Sequence, residues 1–227
     1  MNRGNGRHRL FDTPDDYRRF LFYALEALER VPMRIFGYCI MPNHWHLLLQ
    51  PYADGDLTRF AHLLTSAHAR RLQVLRGAVG TGHIYQGRFK SFPIESPEKA
   101  LEVGVYIDRN PVRAALVAVG EAWLWSSMRR HCGLPRIDVE LPLEPMPGIQ
   151  DVHWQDLVNG PQNEAEVAAI RQAVSRNQPY GEREWSERAG RILRLQSTQR
   201  PVGRPRTDDR QRKTVPDPVL PLRRGGS

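Results

Sequence analysis

Two apolar runs, Arg34–Ile40 and His44–Gln50, are separated only by Met41-Pro42-Asn43. A connection that short between two such runs makes an antiparallel hairpin. In a strand, side chains at i and i+2 share a face. His44 and His46 therefore project together, with Trp45 turned the other way. Two imidazoles side by side on one strand are poised to share a metal ion.

The flanking segments extend the pattern. Thr13-Pro14-Asp15-Asp16 reads as a helix start, with Thr13 as N-cap, Pro14 in the first turn and acids on the positive end of the dipole. That helix is expected to run to about Arg30, with Phe20, Leu21, Ala24 and Leu28 on its apolar face. A second is expected over about Leu57–Arg76, with Leu57, Phe60, Leu64 and Leu72 inward and Arg59, His62, His68, Arg70 and Arg71 on the polar face. After the Gly-rich stretch 77–87, Arg88–Ile94 reads as a strand with Phe92 and Ile94 on one face. Ser96-Pro97-Glu98 starts a third helix that Pro111 stops near Asn110. Helices mixed with an antiparallel pair favour an α+β fold over a doubly wound parallel sheet.

Charge divides the chain. Residues 1–135 carry 18 basic and 12 acidic residues, net +6. Residues 136–180 carry 3 and 7, net −4, and residues 181–227 carry 12 and 6, net +6. This outlines a basic domain at 1–132, a Pro-rich connector at 133–160, a helical extension at 161–199 and a basic tail at 200–227 that composition marks as disordered. In the extension, Glu164–Arg176 and Glu182–Leu195 have helical spacing. Of the 33 basic residues only Lys90, Lys99 and Lys213 are lysine. Arginine forks phosphate oxygens, so the bias suits nucleic acid; a GC-rich genome would produce the same bias. Two cysteines, Cys39 and Cys132, give no disulfide framework and suit a reduced cytosol. No apolar run is long enough to span a membrane, and Met1–Asn5 lacks the apolar core of a secretory signal.

A histidine pair leaves a metal under-coordinated. Tyr106 and Asn110 sit at i, i+4 on the third helix and so share its face. A tyrosine beside a metal-bound phosphate can act as nucleophile, and an amide oxygen is a hard ligand suited to Mg²⁺ or Mn²⁺. The same residues are also compatible with packing: a tyrosine on an amphipathic helix and a buried His-x-His have ordinary structural uses. Spacing alone does not separate the two readings.

A family resemblance bears on the choice. Met41-Pro42-Asn43-His44-Trp45-His46-Leu47-Leu48-Leu49 resembles the HUH motif of single-tyrosine transposases, and in particular of the REP-associated tyrosine transposases. Further pieces match in order: Arg3-Gly4-Asn5, Tyr85-Gln86-Gly87-Arg88-Phe89-Lys90-Ser91, Tyr106-Ile107-Asp108-Arg109-Asn110-Pro111-Val112-Arg113-Ala114, and Trp125-Ser126-Ser127. Pro179-Tyr180-Gly181, Trp185 and Gly203-Arg204-Pro205 resemble the C-terminal extension of some members less specifically. The resemblance implies a ferredoxin-like antiparallel sheet with helices on one face. It implies that His44, His46 and Asn110 hold a divalent metal, Mg²⁺ or Mn²⁺, with Asn110 standing where distant relatives use Gln. It implies that Tyr106 attacks a DNA phosphate, leaving a 5′-phosphotyrosine. Relatives carry more residues ahead of Arg-Gly-Asn, so the true start of the chain is expected upstream.

The expected function is cleavage and joining of single-stranded or hairpin DNA in the cytoplasm, by a monomer or a homodimer. Arg59, Arg70, Arg71, Arg88, Lys90, Arg113, Arg204 and Arg206 are the expected DNA contacts. For Arg204 and Arg206, Gly-Arg-Pro suggests an A·T-rich minor groove, with a merely solvated tail as the alternative. Two other functions remain open at this stage: a non-catalytic binder of repeat hairpins, and a metal-dependent phosphohydrolase that uses water in place of Tyr106.

Overall fold

The computed structural model describes residues 1–200 apart from Thr81, Arg136, Pro147 and residues 149–151. It opens with a two-residue strand β1 (Asn2–Arg3), then helix α1 (Pro14–Arg30), strands β2 (Met33–Met41) and β3 (His44–Pro51), and helix α2 (Asp56–Leu75). The sheet is antiparallel in the order β1-β3-β2. The start of α1 is held by Asp16, whose carboxylate accepts from the Thr13 backbone N–H at 2.8 Å and the Thr13 hydroxyl at 3.0 Å.

Period-two alternation sends the hairpin's side chains to two different cores. Ile35, Tyr38, Ile40 and Trp45 pack under α1 and α2, against Phe20, Leu21, Phe60 and Leu64. Phe36, Cys39, Met41 and Leu48 pack on the opposite face. The register slips between Ile35 and Gly37, so the inward positions of β2 change from odd to even numbers. Phe36 is the extra residue of that bulge, and a bulge reverses side-chain parity in this way.

The expected strand at Arg88–Ile94 does not form as a ladder. Residues 84–90 instead lie along β1 with a slipped register. Asn5 N–H donates to Ile84 O at 2.8 Å, Gln86 N–H to Arg3 O at 2.9 Å and Lys90 N–H to Met1 O at 2.8 Å. Two residues of β1 thus span four of the partner, and the surplus arches out through Gly87 and Arg88. Counting this segment, the spatial order is fourth, first, third, second, the ferredoxin-like arrangement of a β-α-β-β-α-β unit. The free side of β2 is also covered: Ile40 N–H donates to Trp125 O and Ser127 N–H to Tyr38 O, both at 2.8 Å.

The expected third helix breaks at Arg109 into α3 (Pro97–Asp108) and a single turn α4 (Asn110–Arg113), with Pro111 inside the first turn of the second. Helix α3 starts where Ser96 Oγ accepts from Lys99 N–H. A short α5 (Met128–His131) follows. Within 133–160 the chain forms α6 (Trp154–Asn159), and Leu141 joins the core under α1. The extension forms α7 (Glu164–Arg176), α8 (Arg183–Ile192) and the single turn α9 (Gln196–Gln199). Val167, Ile170 and Ala173 of α7 pack with Val103, Tyr106 and Ile107 of α3. Helices α1 and α2 thus cover one face of the sheet, while α3 and α7 close the other. No helix of the described residues is long and apolar enough to cross a membrane.

Candidate active site

The face of β3 that carries Leu48 also carries His44 and His46, and α3 crosses it. The ring centroids of His44 and His46 are 5.0 Å apart, and that of Tyr106 is 6.2 Å from His46, nearly perpendicular to it. The Arg113 guanidinium carbon lies 4.4 Å from the centre of the Tyr106 ring. Arg113 Nη1 also donates to Asn110 Oδ1 at 3.4 Å, and Nη2 to Gln162 Oε1 at 2.6 Å. Four of the expected residues, His46, Tyr106, Asn110 and Arg113, are thus linked contact by contact, with His44 at one end.

The imidazoles are kept neutral. Burial pushes the pKa of His44 down to about 4, aided by the Arg3 charge. Burial pushes that of His46 well below the ordinary range, with further contributions from His44, Arg3 and Arg113. A neutral ring with a free lone pair is the form that binds metal. The Nδ1 of His44 faces Asn43 Oδ1 at 2.7 Å. If that nitrogen carries the proton, Nε2 is left as acceptor toward the site, the usual role of an outer-sphere partner. His46 has no side-chain hydrogen bond among the described residues. Asn110 turns its amide NH₂ back to Tyr106 O and Ile107 O at 3.1 and 3.2 Å, so its oxygen, which Arg113 Nη1 meets at 3.4 Å, is the end that could also face a ligand. Among the described residues, no three His, Cys, Asp or Glu side chains cluster as a metal site. A divalent ion here would rest on His44, His46 and the Asn110 oxygen, a donor set of two borderline nitrogens and one hard oxygen.

Behind the site, Asp108 is fully buried. Its carboxylate accepts from Ser127 Oγ at 2.8 Å, His131 Nδ1 at 2.9 Å and Trp154 Nε1 at 2.9 Å. Ser127 Oγ also accepts from Tyr38 N–H at 2.9 Å. This network ties α3 to β2, α5 and α6, and so sets the height of Tyr106 above the sheet. Sequence spacing did not expose it, because one of its bonded pairs, Tyr38 and Ser127, is 89 residues apart.

The other expected DNA contacts are scattered. Arg59, Arg70 and Arg71 are exposed on α2, on the far side of the sheet from the histidine pair. Arg59 pairs with Asp56. Arg88 is exposed on the arch beside β1, whereas Lys90 Nζ donates to Ser175 O at 2.7 Å near the end of α7. Arg204 and Arg206 lie outside the described residues. One assignment on α2 changes. His68, expected on the polar face, is 2% exposed, stacked on Phe11 and bonded through Nδ1 to Tyr85 Oη at 2.6 Å. Two neighbours of the site were not singled out from sequence: Asn43, for which the turn position before His44 was a signal, and Arg3, for which the strand pairing was needed.

Residues 1–110, which include both histidines, Tyr106 and Asn110, match the family model described as "Transposase IS200 like". A protein of Haemophilus influenzae described as a REP-associated tyrosine transposase is 30% identical over 113 residues, 46% of this chain. The chain spans 64% of that relative's length. A solved structure of a REP-associated tyrosine transposase bound to a REP hairpin aligns with 66% of this chain and 88% of its own, at 20% identity and a TM-score of 0.45. Residues 1–110, just under half of this chain, are thus similar to IS200-like transposases.

Proposed function

We propose that the protein cuts and rejoins single-stranded or hairpin DNA by transferring a phosphodiester to and from Tyr106. The observation that supports this most is the meeting of His46 and Tyr106 across the β3–α3 contact, with Arg113 over the phenol ring.

A divalent ion held by His44, His46 and Asn110 would polarise the phosphate oxygens. Tyr106 Oη attacks phosphorus as the bond to the 3′ oxygen breaks. The phenol proton goes to solvent and the departing 3′ oxygen takes one up. The product is a 5′-phosphotyrosine and a free 3′-OH; one ester replaces another, so a 3′-OH can reverse the step without added energy. Arg113 stabilises charge on the phenol oxygen and on the phosphate. Packing of α7 against α3 keeps water from the back of Tyr106, which is 7% exposed.

The test is a denaturing gel with a hairpin bearing a single-stranded 5′ flank and labelled on each side of the cut. Wild-type protein with Mg²⁺ or Mn²⁺ is expected to yield a denaturant-stable adduct on the 5′ end, absent in Tyr106→Phe. Cleavage giving free 5′-phosphate would identify a hydrolase. Binding with no cleavage under any divalent ion would identify a repeat-hairpin binder.

A further inference from the structure

We infer that Arg3 is a phosphate-binding residue of the DNA site, seizing a backbone phosphodiester beside the bond that Tyr106 attacks; this rests on the DNA-cleavage reading above.

Arg3 stands directly opposite His44 in the β1–β3 ladder. Directly opposed residues of an antiparallel pair project to the same face, with Cβ atoms about 5 Å apart. The Arg3 side chain therefore emerges on the face that carries the histidine pair. Arg113 approaches that pair from the α3 side and Arg3 from the β1 side.

The guanidinium of Arg3 has no hydrogen bond or ion pair among the described residues, and its Nε is buried without a partner. Leaving a buried charged donor unmet is costly, so an anionic partner is the expected compensation. Two neighbouring cations are already engaged, whereas Arg88 stands exposed across the groove and can add to the same anion site. Arg113 is held by Asn110 and Gln162, and Lys90 by Ser175. Arg3 borders a groove of about 300 Å³ whose other walls include Asn2, Gln86 and Arg88. No carboxylate lines it. The arch at Gly87 is what opens this groove, because the register slip lifts the chain away from β1 there. A planar fork in such a groove matches two oxygens of one phosphate.

A backbone contact of this kind carries no sequence information. It would hold the strand in register for in-line attack. Its loss should show at one linkage, while contacts made elsewhere persist.

The experiment is methylphosphonate interference with the full-length protein, using a pool of stable hairpins with a mixed-sequence 5′ flank, each carrying neutral linkages at random positions. Wild-type binding is expected to be blocked by a neutral linkage next to the one that becomes joined to Tyr106. Arg3→Gln should lose that single position from the footprint, bind about tenfold more weakly, and show a log–log salt slope smaller by about 1. Identical footprints for the two proteins would overturn the inference. If Arg3→Gln does not fold, Arg3→Lys decides on the same readout. It keeps the charge but not the fork, so a weakened position supports the clamp and an unaltered one overturns it. A wild-type protein that binds but forms no Tyr106 adduct would defeat the cleavage reading, while the footprint comparison would still judge Arg3.

Discussion

Arg113 lies over the ring of Tyr106, its guanidinium carbon 4.4 Å from the ring centre, while Nη1 reaches the side-chain oxygen of Asn110. One cation thus touches both the proposed nucleophile and the proposed hard ligand. In the proposed reaction it can stabilise the negative charge that builds up at the transition state. Arg113→Ala should slow adduct formation by about 10²-fold, the usual cost of removing one charge-stabilising donor. Hairpin affinity should change by only a few-fold. Single-turnover kinetics beside equilibrium binding will separate the two, and equal losses in both would reassign Arg113 to DNA binding.

The histidine pair makes a different prediction. His44→Ala and His46→Ala should each abolish divalent-ion-dependent cleavage and leave hairpin binding largely unchanged, since neutral imidazoles contribute little to phosphate attraction. Asn43→Ala should have the same effect in weaker form, about 10- to 100-fold in metal affinity, because it holds the ring of His44. Titrating Mn²⁺ against cleavage rate will show this as a rightward shift. An unshifted curve for Asn43→Ala would mean that the ring is held by packing alone.

Asp108→Ala should be strongly destabilising. It strands the donors of Ser127, His131 and Trp154 in a largely buried region. A loss of about 3–5 kcal/mol is expected, typical of breaking one side of a buried charged network. Urea unfolding would measure it as a lowered midpoint with an unchanged slope. A loss below about 1 kcal/mol would show that the carboxylate is not what holds α3 in place.

Acid should destabilise the fold through His68. Burial lowers its pKa from 6.5 to about 3, so the folded form refuses a proton that the unfolded chain accepts. Stability is then fully present above about pH 6.5 and falls as the pH drops toward 3. Each such proton contributes at most about 1.4 kcal/mol per pH unit. His44 and His46 act in the same direction. His68→Gln should flatten the dependence of unfolding free energy on pH between 6 and 4 by nearly one proton, and a slope unchanged from wild type would exclude this account.

The sequence by itself determined what local rules govern. Strand alternation put His44 and His46 on one face, and the Thr13 and Ser96 signals marked where α1 and α3 begin. Helical spacing placed Tyr106 and Asn110 on one side of a helix, although Pro111 ended α3 earlier than expected and opened a new turn. Tertiary structure decided the rest. Whether His68 lay outside or inside depended on Phe11 and Tyr85, from distant parts of the chain, closing over it. The arginines of α2 went to the back of the sheet because α1 and α2 share the core that Trp45 enters. The segment 88–94 had strand-like residues, yet the slip past β1 at Gly87 denied it a ladder. The contact of His46 with Tyr106, the opposition of Arg3 to His44 and the burial of Asp108 all join residues far apart in sequence. Such pairings follow from register and packing, which no local pattern encodes, because their energies exist only once the sheet and its covering helices are assembled.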